Sequence, residues 1–237
     1  PNDYEIAYSR ISRQAQPLDT LHASRIWMVN TRTGQTAALF DDPGIGGTSP
    51  VFSPSGDLLA FYDLTQKAIR LFDFNSGSSD WIYTQVEQAV SFSPEGEIVY
   101  IELQADMLLP IGVLYRMDLE TKSVDPLLGE GLTSFDATSP RWAGSGDWIA
   151  FGAQSVNPGA ARQLWIVHPD GSGLRAVIND ESASHAAPAW SPDGGRLAFQ
   201  RLELGGSDHR PEIVVWDADL GVFSVLVQDA ALPAWLR

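Results

Sequence analysis

The chain contains no cysteine. That excludes a disulfide frame, a zinc–thiolate centre and a thiol nucleophile. No run approaches eighteen apolar residues, so no segment reads as a membrane-spanning helix. No stretch has the layout of a signal peptide. The chain opens on Pro1 rather than Met, which leaves room for an upstream signal or anchoring segment. Basic residues are scarce, with 15 Lys and Arg against 30 Asp and Glu and a net charge of −15. An acidic body repels phosphate backbones and anionic lipid, which argues against nucleic acid and membrane surfaces as partners. There is no Gly-x-Ser-x-Gly nucleophile elbow, so a serine peptidase centre is not encoded here. The glycine-rich Gly44-Ile45-Gly46-Gly47 precedes a strand rather than a helix, so it cannot cradle phosphate and reads as a flexible loop.

What is present is aromatic and periodic. The 237 residues are 44% apolar, with eight Trp, ten Phe and six Tyr, residues that pack well on pleated sheets. One motif recurs at 50–61 (PVFSPSGDLLAF), 89–100 (AVSFSPEGEIVY), 140–151 (PRWAGSGDWIAF) and 188–199 (PAWSPDGGRLAF). Its marker aromatics Phe52, Phe92, Trp142 and Trp190 fall about forty to fifty residues apart, the length of a four-stranded blade. Each copy reads as a hairpin. Ser53, Pro54 and Gly56 sit where a type I turn wants Ser, Pro and Gly, and Ser93-Pro94-x-Gly96 and Ser191-Pro192-x-Gly194 repeat them. The third copy, Ala143-Gly144-Ser145-Gly146, lacks the proline, and a looser turn is expected there.

A second motif lies between these hairpins, in five copies: 25–40, 68–83, 113–128, 163–178 and 212–227. Each is an apolar strand, a polar turn and another strand. Asn30, Asp73, Asp118, His168 and Asp217 stand at the turn entry, where Asx side chains bond their own backbone. Five outer hairpins require five inner ones. Four are complete, and the fifth is split between 4–10 (YEIAYSR) and 232–236 (LPAWL).

The expected fold is all-β: a single five-bladed β-propeller over residues 1–237 with four-stranded antiparallel blades. The ring is closed by the C-terminal strand joining the N-terminal blade. The blades span 1–40 plus 232–237, then 49–84, 89–129, 139–179 and 187–229. Closure removes exposed strand edges, and it places Pro1 beside Arg237.

The residues Trp190-Ser191-Pro192-Asp193-Gly194 with Leu197-Ala198-Phe199, and Phe52-Ser53-Pro54 with Gly56 and Leu59-Ala60-Phe61, resemble the TolB-like, WD40-like propeller repeats. Trp165-Ile166-Val167-His168-Pro169-Asp170-Gly171 looks like the rest of that pattern. The resemblance covers nearly the whole chain. It implies a docking protein, a gate for a peptidase or a subunit of an envelope complex, in a periplasmic or cell-surface setting. It implies no catalytic residue, because none belongs to the repeat. The familiar periplasmic member has six blades and an extra domain, and five blades depart from it.

The residues themselves offer little chemistry. A glycosidase needs two carboxylates flanking the sugar bond, and the innermost strands, read as 50–53, 89–92, 140–142, 188–190 and 233–236, carry none. His22, His185 and His209 fall in the long loops of consecutive blades, near Asp180, Glu181 and Asp208. They are the candidate metal ligands, although their spacing favours solvated loop histidines. No cofactor is expected. Trp142, Trp190 and Trp235 recur in phase, as do Trp27 and Trp165, which marks packing between blades. Trp81 and Trp148 are less regular and are expected to be partly exposed.

The segments 9–24, 102–112, 152–162 and 201–211 are long for connections within a compact domain, and all fall at one face. Loops on rigid scaffolds carry function. Asp106, Met107, Leu108, Leu109 and Asp208 are therefore the candidate partner-binding residues. The reading is a non-catalytic scaffold that binds another protein or complex through the long-loop face. The alternatives are a glycan or small-ligand propeller, and a hydrolase or lyase acting at the central cavity.

Overall fold

The computed structural model describes residues 6–11, 24–42, 44–104, 110–129, 135–155, 159–205 and 210–235. These residues hold nineteen strands in five antiparallel sheets and no helix. The all-β, five-bladed architecture read from the repeat is the one observed.

Residues 1–90 form one compact unit. Its first sheet is β1 (Ile6–Ile11), β2 (Ser24–Val29) and β3 (Thr36–Ala38). Its second is β4 (Gly47–Phe52), β5 (Leu58–Asp63), β6 (Ala68–Asp73) and β7 (Ser79–Tyr83). Ile26, Leu59 and Phe61 make the core between them, with Phe40, Phe52, Phe72 and Phe74 packed against it. Gly47 is part of this core rather than of a flexible loop. A Cβ there would lie 2.8 Å from both Ile26 and Phe61, so only glycine lets the two sheets meet.

Residues 91–237 form the second unit. Its first sheet is β8 (Ser91–Phe92), β9 (Glu97–Gln104), β10 (Ile111–Asp118) and β11 (Val124–Pro126). The next is β12 (Phe135–Trp142), β13 (Ile149–Ser155), β14 (Gln163–Val167) and β15 (Arg175–Ile178). The last is β16 (Ala183–Trp190), β17 (Arg196–Glu203), β18 (Glu212–Asp217) and β19 (Val222–Gln228). Ala150, Leu164, Ile166, Trp190, Leu197, Phe199, Val214 and Trp216 form the core between the last two sheets.

The inner turns close as their residues dictate. Gly56 N donates to the Ser53 carbonyl (3.0 Å) and Gly194 N to the Ser191 carbonyl (2.9 Å). The serine Oγ accepts a second bond, from Leu58 N at 3.0 Å and Arg196 N at 2.9 Å. The third copy is not looser. Gly146 N reaches the Ala143 carbonyl at 2.9 Å with φ at +86°, so the glycine closes the turn without proline. Trp142 Nε1 supplies an added tie to the Gly146 carbonyl.

The outer turns follow the expected Asx pattern. Asp73 Oδ1 accepts from Asn75 N and Ser76 N, and Asp118 Oδ1 from Glu120 N and Thr121 N. Those backbone donors hold both carboxyls below the usual carboxylate range. His168 substitutes an imidazole for the carboxylate. Its Nδ1 lies 2.8 Å from the Asp147 carbonyl and its ring stacks on Trp148 at 3.7 Å.

A second regularity marks the innermost strands. The residue before each strand proline has positive φ: Ser49 at 56°, Ser139 at 51° and Ala187 at 50°. The ladder shifts register at the same points, between Thr48 and Val51, Thr138 and Arg141, and Ala186 and Ala189. Proline bars the right-handed helical region to its predecessor and donates no ladder bond, so the strand carries it on a bulge. Leu232, before Pro233, repeats the turn with φ at 57°.

Trp235 then occupies the phase of Trp190. Trp190 Nε1 donates to the Arg141 carbonyl one sheet back (3.1 Å), and Trp235 Nε1 to the Ala189 carbonyl (2.9 Å). The C-terminal segment thus takes an innermost-strand position beside the last sheet. Among the described residues it enters no ladder, and the first sheet has three strands. Pro1 and Arg237 lie outside the described residues.

Candidate functional site

Each sheet has two ends. One carries the tight turns. At the other, in each of the last three sheets, the second strand hands over to the third through a long connection, whereas β5 passes to β6 through the short turn 64–67. In residues 91–237 these long-connection ends are tied from sheet to sheet. Gly112 N, at the start of β10, donates to Asp136 Oδ1 on β12 at 2.9 Å. The Arg162 carbonyl, just before β14, accepts from His185 N on β16 at 2.8 Å. Gln163 Nε2 donates to the Asp180 carbonyl at 3.0 Å, and Gln163 Oε1 accepts from Asp180 N at 2.9 Å. The same join holds the other unit, where Ser24 Oγ, opening β2, donates to the Gly47 carbonyl at 3.0 Å. The starts of β10 and β14 are thus each held to the next sheet.

Charged side chains gather on the last sheet at this end. Arg201 is the hub, with Glu212 at 2.5 Å and Asp180 and Glu203 each at 3.3 Å. Burial works against the Arg201 charge, but bonds and fields from Glu212 and Asp180 outweigh it and raise its pKa. The Ser182 hydroxyl and backbone N–H, with Arg201, hold Asp180 below the usual carboxylate range. Arg210 pairs with Asp229 at 2.9 Å. Glu203, Arg210, Glu212, Gln228 and Asp229 line a cavity of about 230 Å³. On the neighbouring sheet Arg162 pairs with Asp136 at 3.7 Å.

Asp136 and His185 correct the sequence reading. The innermost strands begin before their prolines, so β12 contains Asp136 and an innermost strand does carry a carboxylate. Asp136 is committed to Gly112 and Arg162, with no second carboxylate opposite it in its ladder. His185 lies in β16, not in a loop, and its exposure is 0%. It is therefore not a solvated histidine. Its ring meets the Phe199 edge at 5.7 Å, and neither ring nitrogen has a hydrogen-bond partner among the described residues. Among the described residues no group of three metal-binding side chains forms. His22, His209, Asp106, Met107, Leu108, Leu109 and Asp208 lie outside the described residues.

The buried imidazole has a pH signature. Burial pulls its pKa below the ordinary value of 6.5. The folded state thus prefers neutral His185, while the unfolded chain takes up a proton as pH falls through about 6.5. Stability conferred by the neutral ring is complete above that value. It is lost as pH falls towards the folded pKa and then levels off. A His185→Leu variant is expected to gain about 1 kcal/mol at neutral pH, because two orphan polar atoms leave the core. Its advantage should grow as the pH is lowered through about 6.5. Urea denaturation at several pH values checks this, and an advantage that does not change with pH would contradict it.

The expected Trp pattern holds in part. Trp142 and Trp190 are buried between sheets, while Trp81 and Trp148 are partly exposed. Trp216, which the repeat did not single out, is buried beside Trp190 at 4% exposure.

No protein-family model matches the chain. Over 48 residues it is 48% identical to dipeptidyl-peptidase 5 of Porphyromonas gingivalis, a stretch that is 20% of this chain and 7% of that peptidase. Oligogalacturonate lyase in complex with manganese aligns at a TM-score of 0.64 and 19% identity, over 86% of this chain and 59% of the lyase. The β-propeller domain of the Trilobed protease from Pyrococcus furiosus, described as an open velcro topology, aligns at 0.65 and 14%, over 93% of this chain and 64% of that domain. TolB from Acinetobacter baumannii aligns at 0.68 and 19% over 95% of this chain, which spans 54% of that TolB. The fold is thus that of the TolB-like propellers, one that oligogalacturonate lyase shares.

Proposed function

We propose that the chain is a protein-binding module that presents its long-connection end to a partner protein. The observation that carries this reading is the tying of successive third-strand starts at that end, by Gly112 to Asp136 and by Arg162 and Gln163 to Asp180 and His185. Loops held on a fixed frame are preorganised for recognition, which lowers the ordering cost of binding. The paired charges around Arg201 make a polar rim of mixed sign rather than a proton-transfer pair. Asp106, Met107, Leu108, Leu109 and Asp208 belong to the connections this end carries, and we assign them to the contact. An extracytoplasmic setting goes with this reading and rests on the likeness to TolB.

Carboxylate-reactive cross-linking with mass spectrometry, on protein isolated gently from its source, tests it. Links from Glu203, Asp229, Asp106 or Asp208 to one stoichiometric partner are expected. They should vanish in a Glu203→Lys, Asp229→Lys double variant that keeps its thermal midpoint. Links confined to tight-turn carboxylates such as Asp57, or the absence of any stoichiometric partner, would overturn the reading.

A further inference from the structure

At the opposite end of the last two sheets, among the tight turns, lies a second cavity of about 270 Å³. Three indoles are in its lining, the partly exposed Trp148 from one sheet and the buried Trp190 and Trp216 from the next. Trp190 is fixed by its bond to the Arg141 carbonyl, and Trp148 by its stack on His168, itself anchored to the Asp147 carbonyl. The aromatic faces are therefore held in place before any ligand arrives. Three exposed aspartates, Asp147, Asp193 and Asp219, stand on the rim.

One occupant is already visible. The exposed Arg175 holds its guanidinium carbon 5.3 Å from the Trp148 ring and 5.7 Å from Trp216. Among the described residues it forms no salt bridge, so the aromatic faces alone position it. A guanidinium is drawn to the negative face of an indole, most strongly where water is partly excluded. Counted by formal charge, the lining holds three carboxylates against Arg175 as its cation. The cleft is therefore electronegative even with Arg175 in place.

We propose that this cleft is a docking pocket for an arginine side chain of a partner peptide, with Arg175 as the internal competitor that an incoming guanidinium displaces. The inference does not rest on the long-connection reading, because it concerns other residues at the other end of the sheets. The recognition chemistry is a planar cation between two indoles, with carboxylates at the mouth. A neutral sugar would use the indoles but would gain nothing from three negative charges.

The test uses the whole chain with two short probes, acetyl-Gly-Arg-Gly-amide and the same peptide with citrulline, a neutral isostere. Indole N–H resonances report binding by NMR. The arginine peptide is expected to saturate at about 1 mM, shifting the Trp148 indole, and the citrulline peptide to bind at least about tenfold more weakly. Arg175→Gln should tighten arginine binding several-fold. An Asp147→Asn, Asp219→Asn double variant should weaken it without altering the rest of the spectrum. That surface variant keeps the test decisive if Trp148→Ala fails to fold. Equal binding of the two peptides, no saturable shift, or weaker binding in Arg175→Gln would overturn the proposal. Binding of cellobiose at these indoles in place of the arginine peptide would make the cleft a glycan site and likewise overturn it.

Discussion

Replacing Phe199 with alanine is expected to cost about 3–5 kcal/mol of folding stability, the range for deleting a buried phenyl ring. Phe199 is 0% exposed. It packs with Ala150, Leu164 and Ile166 from one sheet and Val214 and Trp216 from its own. Its edges meet His185 at 5.7 Å and Phe223 at 6.4 Å. The neighbours are strands fixed by ladders, so the site cannot collapse onto the void. The repeat sets a matched series. Phe61 and Phe151 hold the same place in their motifs and are 2% and 1% exposed. Their alanine variants should fall in the same range. Phe223 touches the same ring but is 43% exposed, and Phe223→Ala should cost about 1 kcal/mol, since only part of its area leaves water on folding. Urea midpoints at unchanged slope measure all four. A Phe223 effect equal to that of Phe199 would mean that the outer strand is packed as tightly as the core.

The core was legible because it repeats. Leu-Ala-Phe after a Ser-Pro-x-Gly turn marks a second strand buried on both faces at 59–61 and 197–199, and the structure buries those residues. The polar turn residues were legible too, since Asp73 and Asp118 do what isolated Asx turns do. Asp136 and His185 were hidden by one physical cause. Pro140 and Pro188 looked like strand starts, because proline interrupts a ladder. The bulge at Ser139 and Ala187 instead passes each proline and lets the strand run five residues further back. The first copy does the same from Gly47 across Pro50. A proline preceded by a small residue, two positions before the marker aromatic in three of the four complete copies, was the available signal. The Trp148–Trp216 cleft was hidden for a different reason. Its walls come from two repeats, and recurrence by itself cannot distinguish an indole that is packed from one that lines an opening. At the C-terminus Trp235 repeats the Trp190 contact on the last sheet, and the expected pairing of 232–236 with the first sheet is not among the described ladders.

The second large effect is expected at Gly112, where the join between two sheets leaves no room for a side chain. An added Cβ would lie 2.6 Å from the Ala137 carbonyl oxygen, 3.0 Å from Ile101 Cγ2 and 3.2 Å from Asp136 Oδ1. The first of these is backbone and cannot rotate away, so β10 and β12 must separate. Overpacking of this kind costs about 1–3 kcal/mol, occasionally more. Separation also strips Asp136 of the Gly112 N–H and loosens its pairing with Arg162 at 3.7 Å. Gly112→Ala should therefore lose about 3 kcal/mol, the clash plus a charge-assisted hydrogen bond. Asp136→Ala alone should lose about 1–2 kcal/mol through the orphaned N–H. The two should not add. Once the added methyl group has broken the Gly112–Asp136 bond, removing the carboxylate costs little more and relieves the 3.2 Å contact. A double-mutant cycle by urea denaturation reads this directly. Additive losses would show that Asp136 stabilises the join by some route other than Gly112. A sub-additive pair would show that the clash and the bond are one contact. It would then follow that the platform under the long connections is set by backbone proximity, and that glycine at the head of β10 fixes the position of the binding end.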